Sequence, residues 1–90
     1  MSDTTVIIKT IGRKTLPQAI ASAKREGFKP LVISDGVNCH VKGAKHIKLG
    51  KRWGYYGGMA ANVGAAMAET EFITFLDDDD EFAEGAGEVI

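Results

Sequence analysis

The apolar residues fall in short runs divided by polar and glycine-rich stretches, and their spacing changes from run to run. Thr5-Val6-Ile7-Ile8-Lys9-Thr10 is β-branched and apolar at its centre, which predicts a buried strand. Ile11-Gly12-Arg13-Lys14 reads as a turn. Thr15 then has the chemistry of a helix N-cap, Pro17 fits a first turn and Gly27 a stop. Between them Leu16, Ile20 and Ala23 share one face, while Lys24, Arg25 and Glu26 stay wet. Pro30-Leu31-Val32-Ile33-Ser34 predicts a second strand, broken by Asp35-Gly36. A polar stretch to Gly43 precedes a weaker strand signal at His46-Ile47-Lys48-Leu49. Residues 50–58 hold four glycines and read as a loop free to approach another group closely. Met59 to Ala68 is alanine-rich, with Met59, Val63 and Met67 at helical spacing, and its small residues suit close packing on a sheet. Glu71-Phe72-Ile73-Thr74-Phe75-Leu76 predicts a further buried strand. It runs straight into Asp77-Asp78-Asp79-Asp80-Glu81.

The order β-α-β-(β)-α-β, with continuous apolar strands, predicts an α/β fold: a small three-layer sandwich around a mainly parallel sheet. Ligands of such sheets bind outside the carboxyl ends of the strands. Here those ends are Thr10 to Arg13, Ser34 to Gly36 and Asp77 to Asp80, expected on one rim.

Composition narrows the picture. At 90 residues, with 44% hydrophobic and 26% charged positions, the chain is expected to form one domain over residues 1–90. No apolar run approaches the ~20 residues of a membrane span. The first residues lack the pattern of a secretory signal, and Cys39, the single cysteine, allows no internal disulfide. The expectation is a cytoplasmic protein. The net charge of −1 conceals an asymmetry. All 11 Lys and Arg lie at or before Arg52, and nine of the 12 Asp and Glu lie from Glu69 onward. The halves carry about +8 and −9, so they meet either different ligands or each other.

The acidic run is the strongest chemical signal. Adjacent carboxylates held at a strand end repel, and a divalent cation relieves the repulsion. Oxygen-only ligands suit a hard ion such as Mg²⁺, Mn²⁺ or Ca²⁺. A calcium EF-hand is excluded, because Phe82 stands where its loop requires glycine. A plain solvated charge run is the competing reading. Gly43…Gly50-Lys51-Arg52 fails as a phosphate loop, with six residues between the glycines and Arg52 in the Ser/Thr position. No Gly-x-Gly-x-x-Gly follows the first strand. Arg13, Lys14, Lys51 and Arg52 are left as candidate phosphate-facing cations. His40 and His46 have no zinc-ligand spacing and read as surface residues, and Cys39 reads as inert. Trp53, Tyr55 and Tyr56 beside Lys51 and Arg52 can stack on a base or sugar, or pack the glycine loop.

In this order and spacing the residues resemble the nucleotide-binding half of a family 2 glycosyltransferase of the inverting GT-A type, from about Thr5 to about Glu84. The most specific piece is Ala61-Asn62-Val63-Gly64, an Ala-rich helix, and the strand ending Asp77-Asp78-Asp79-Asp80-Glu81-Phe82. The resemblance implies a truncated GT-A, Rossmann-like fold. It implies an Asp-x-Asp motif that binds a nucleotide-diphospho-sugar through Mg²⁺ or Mn²⁺, for inverting transfer to an unknown acceptor. The donor would be a UDP- or GDP-sugar. Thr10 and its turn, Arg13, Asp35 (toward the base), Arg52, Asn62, Asp77 and Asp78 would meet the donor. Asp77 and Asp79 would bind the metal, with Asp78-x-Asp80 as the other register. Departures are Ile11-Gly12 where the family often has Tyr-Asn, Ser34-Asp35-Gly36-Val37 for Asp-Asp-Gly-Ser, and Ala61 where many members have Arg.

No catalytic base is identified, since Glu81, Glu84 and Glu88 are the only later acids and none stands where the family's base would be. The expectation is that these 90 residues lack the base and the acceptor site. Two other functions compete with the enzyme reading. One is a nucleotide-sugar-binding module without turnover. The other is nucleic-acid binding through residues 42–56, which the adjoining acidic run disfavours. Self-association through an exposed sheet edge is a further expectation.

Overall fold

The computed structural model describes residues 3–51 and 58–88, the side chains of 58–61 and 88 excepted. Arg52, Trp53, Tyr55 and Tyr56, and the side chain of Met59, lie outside that description. Among the described residues, four strands and two helices follow one another as β1 (Thr4–Thr10), α1 (Leu16–Arg25), β2 (Lys29–Ser34), β3 (Lys45–Lys48), α2 (Gly58–Met67) and β4 (Phe72–Asp77). A 3-10 turn spans Ala86–Glu88. The strands form one sheet in the order β3-β2-β1-β4, and every pairing is parallel.

Alternation along β1 divides the core. Val6 and Ile8 join Leu16, Ala19, Ile20, Ala23, Phe28 and Val32 on the α1 side. Ile7 joins Leu31 and Ile33 on the other side, under Ile47, Leu49 and Val63. Successive strand residues point to opposite faces, so a strand covered on both must be apolar at every position. The run Val6-Ile7-Ile8 meets that requirement, with all three fully buried. The three-layer expectation holds.

α1 stops as its sequence requires. Gly27 has φ +82°, its N–H donates to Lys24 C=O, and Phe28 N–H donates to Ala23 C=O. This is the Schellman arrangement, which needs a left-handed residue and therefore favours glycine. The start of α1 differs from expectation. Thr15 occupies the cap position without a side-chain cap bond, because its Oγ1 donates instead to the Asp78 C=O at 2.7 Å. Glu26 at the end of α1 accepts the Gly87 N–H on Oε1. That bond, and secondarily Arg25, holds the Glu26 carboxyl below its ordinary 4.5.

α2 meets the sheet through Gly64. A Cβ there would lie 2.5 Å from Cγ2 of the fully buried Ile7. The stripe read as Met59, Val63 and Met67 is corrected accordingly. Val63 and Gly64 face inward, and Met67 is 56% exposed. The close approach of a glycine rotates the helix about that contact.

β4 is also corrected. It is an edge strand, with Phe72 and Phe75 each 51% exposed and Ile73 exposed beside them. Both helices sit over β1 and β2 and leave most of β4 bare.

Gly64→Ala should destabilise the fold by about 1–3 kcal/mol through overpacking, despite the better helix propensity of alanine. In an Ile7→Ala background the added cost should largely vanish, a coupling that urea unfolding of the four-member cycle measures. Acid should also weaken the fold. The contribution of Glu26 is complete above the ordinary glutamate value and is lost as pH falls through its lowered one. Glu26→Gln should flatten that part of the stability–pH curve.

Candidate functional site

The site is built from the β1 and β4 ends, which lie side by side. Register pairs Lys9 with Asp77, so Thr10, the last residue of β1, lies beside Asp78, the first residue past β4. Thr10 Oγ1 donates to Asp78 Oδ2 at 2.6 Å, and Thr10 Oγ1 in turn accepts the Gly12 N–H at 2.9 Å. Both residues are buried. A short bond to an ionised acceptor in such surroundings is among the stronger side-chain interactions. The Asp78 backbone is held as well, through Thr15.

With Asp78 turned inward, its neighbours turn outward. Asp80 N–H donates to the Asp77 C=O, closing a tight turn. Asp77, Asp79 and Asp80 are exposed, and each offers one carboxylate oxygen within 4.8 Å of the others. Beyond the turn, Phe82 packs against Phe28 with ring centroids 4.8 Å apart and the rings tilted by 53°, and its N–H donates to Ser22 Oγ. Arg25 Nη2 donates to the Phe82 C=O. The acidic run is thus fixed at both ends and is no loose tail.

Two cations lean on it. Arg13 Nη1 donates to Asp79 Oδ2 at 3.0 Å, and its Nε lies 3.6 Å from Asp78 Oδ1. Lys9 Nζ lies 3.6 Å from Asp77. The basic and acidic halves of the sequence therefore meet each other here. Asp35 is buried at the end of β2, and its N–H donates to the Thr10 C=O. The three strand ends share one rim, as expected.

Of the predicted site residues, the structure gathers Thr10, Arg13, Asp35, Asp77, Asp78 and Asp79. Asn62 is exposed on α2, and none of the contacts joining that group involves it. Arg52 lies outside the described residues. Sequence reasoning missed the Lys9–Asp77 pair and the anchoring role of Thr15. The first becomes visible only once strand register is known, and the second was hidden by the helix-cap chemistry of threonine. His46 is exposed, as expected, with its Nε2 2.8 Å from Ser34 Oγ and 3.9 Å from Cys39 Sγ. The basic edge strand β3, with Lys45 and Lys48 exposed, is separated from β4 by two strands. The acidic turn therefore does not adjoin it in space.

The buried and the exposed aspartates should separate in an unfolding experiment. Asp78→Ala removes a buried, charged acceptor and should cost about 2–3 kcal/mol. Asp79→Ala and Asp80→Ala, at exposed positions, should stay within about 0.5 kcal/mol of the parent chain in thermal or urea melts.

No curated protein and no solved structure matches the chain. The model of the family described as glycosyl transferase family 2 matches residues 5–89, taking in the sheet, both helices and the acidic turn. The chain belongs to glycosyl transferase family 2.

Proposed function

We propose that this chain binds a nucleotide-diphospho-sugar, UDP- or GDP-linked, through Mg²⁺ or Mn²⁺ at the turn Asp77–Asp80, for inverting transfer of the sugar to an acceptor. Family membership supports a glycosyltransferase with a nucleotide-sugar donor and an acceptor. The observation that carries the donor-site reading is the convergence of the Asp77, Asp79 and Asp80 carboxylates on the rim that also holds Thr10 and Asp35.

The residues fit a hard divalent cation. The donor set is carboxylate oxygen alone. The 4.8 Å spread is about twice a metal–oxygen distance of roughly 2.1–2.4 Å, so small rotations of exposed side chains bring the three oxygens around one ion. Asp77 and Asp79 are the principal ligands in this reading, with Asp80 beside them. Asp78 is the anchor, since turning it outward would break its buried bond to Thr10. The bound ion supplies Lewis-acid stabilisation of the charge on the departing nucleoside diphosphate.

The chain's own residues do the rest. Thr10 and the following turn form the wall against which the nucleotide lies, and Asp35 accepts a hydrogen bond from the base. Among the described residues, Arg13 is the cation best placed to meet diphosphate oxygens, as a planar fork suited to phosphate.

Titration of the protein with UDP or GDP plus Mg²⁺ should move amide resonances at residues 10–13, 35 and 77–80. Silence there refutes the reading. The double variant Asp77→Asn with Asp79→Asn should weaken Mn²⁺ binding at least tenfold, measured by electron paramagnetic resonance of the free ion.

A further inference from the structure

We infer that Arg13 is an exchangeable counter-ion of the acidic turn: its guanidinium occupies Asp79 until a divalent cation takes that carboxylate, and the exchange frees the fork for the diphosphate. The inference rests on the metal-site reading above and goes beyond it by making one arginine a competitor of the metal and a ligand of the donor in turn.

The geometry gives Arg13 two unequal contacts. Its Nη1 donates to Asp79 Oδ2 at 3.0 Å, on an exposed carboxylate, and its Nε lies at 3.6 Å from the buried Asp78. The Asp78 carboxylate is already engaged by Thr10. Asp79 is different, since it belongs to the three exposed acids whose oxygens converge. A cation there must share or displace the arginine's hydrogen bond, and two positive groups on one carboxylate repel at this distance. The displaced side chain is about half exposed, and what it gives up at Asp78 is a 3.6 Å charge contact while the Thr10 hydrogen bond to that carboxylate stays in place. An exposed ion pair of this kind is weak, so exchange is easy. The backbone of the loop stays fixed through Gly12 N–H on Thr10, which leaves the guanidinium close to the rim.

Without a metal, Arg13 lowers the repulsion among the aspartates and keeps the turn assembled. With metal and diphosphate present, the same charge meets the ligand's negative oxygens. Removal of Arg13 should therefore act with opposite sign on the two ligands. Arg13→Gln should bind Mn²⁺ alone about three- to tenfold more tightly than the parent chain. The same variant should bind UDP in the presence of saturating Mg²⁺ several-fold more weakly. Lys14→Gln removes the same charge from an exposed neighbour and should change Mn²⁺ affinity by less than twofold. In the parent chain, Mg²⁺ should shift the Arg13 Nε–H resonance in step with the Asp79 amide. Circular-dichroism melts confirm that each variant is folded, and Arg13→Lys, which keeps the charge and loses the fork, provides a second folded comparison.

Equal Mn²⁺ affinity for the parent chain and Arg13→Gln, or weaker binding by the variant, overturns the exchange while leaving the metal site standing. Failure of both proteins to bind Mn²⁺ overturns the metal site and the exchange together.

Discussion

β1 has no free side. β2 pairs along one edge and β4 along the other, both in parallel, and the two helices lie over its two faces. The centre of a parallel strand buried in this way must be apolar, and Val6-Ile7-Ile8 is, while the buried Thr4, Thr5 and Thr10 flank it. The position of β1 then dictates the chemistry at its carboxyl end. Register with β4 carries Asp77 beside Lys9 and brings Asp78 within reach of Thr10. Register with β2 brings Ser34 beside Thr10 and Asp35 just beyond. A slip of one residue in either pairing would send these side chains to opposite faces and dissolve the rim.

The acidic turn shows how identical residues acquire different work. Four consecutive aspartates cannot all be solvated equally when the chain turns at a strand end. One faces inward, where a threonine hydroxyl and a nearby arginine compensate its charge, and three face water. The inward aspartate makes the outward ones possible, since it pins the turn that presents them. Arg13 and Lys9 offset part of the remaining repulsion from the basic half of the sequence. The near-zero net charge of the chain is thus partly a local cancellation across one seam.

Much of this was legible in the sequence. The β-branched runs, the Gly27 stop and the breaks at Asp35-Gly36 gave the elements and their order, and the strand-end rule located the rim. The distinction between Asp78 and its neighbours was not legible, because it depends on a threonine 68 residues away. The exposure of β4 was hidden for a related reason. Phe72-Ile73-Thr74-Phe75-Leu76 is as apolar as a central strand, but sheet order is decided by pairing partners and not by a strand's own composition. The inward face of α2 was misjudged because periodicity favours large residues, whereas the contact is made by a glycine.

The bare faces of β4 end, at Asp77, in the most negative segment of the molecule. β4 is an edge strand among the described residues, and charge beside an apolar edge is the usual protection against strand-to-strand pairing between molecules. Carboxylates at that position add charge repulsion between copies of the chain that approach edge to edge. A cation bound as proposed would lower that repulsion beside the exposed Phe72, Ile73 and Phe75, so ligation at the turn and exposure of an apolar strand would be coupled through one set of charges.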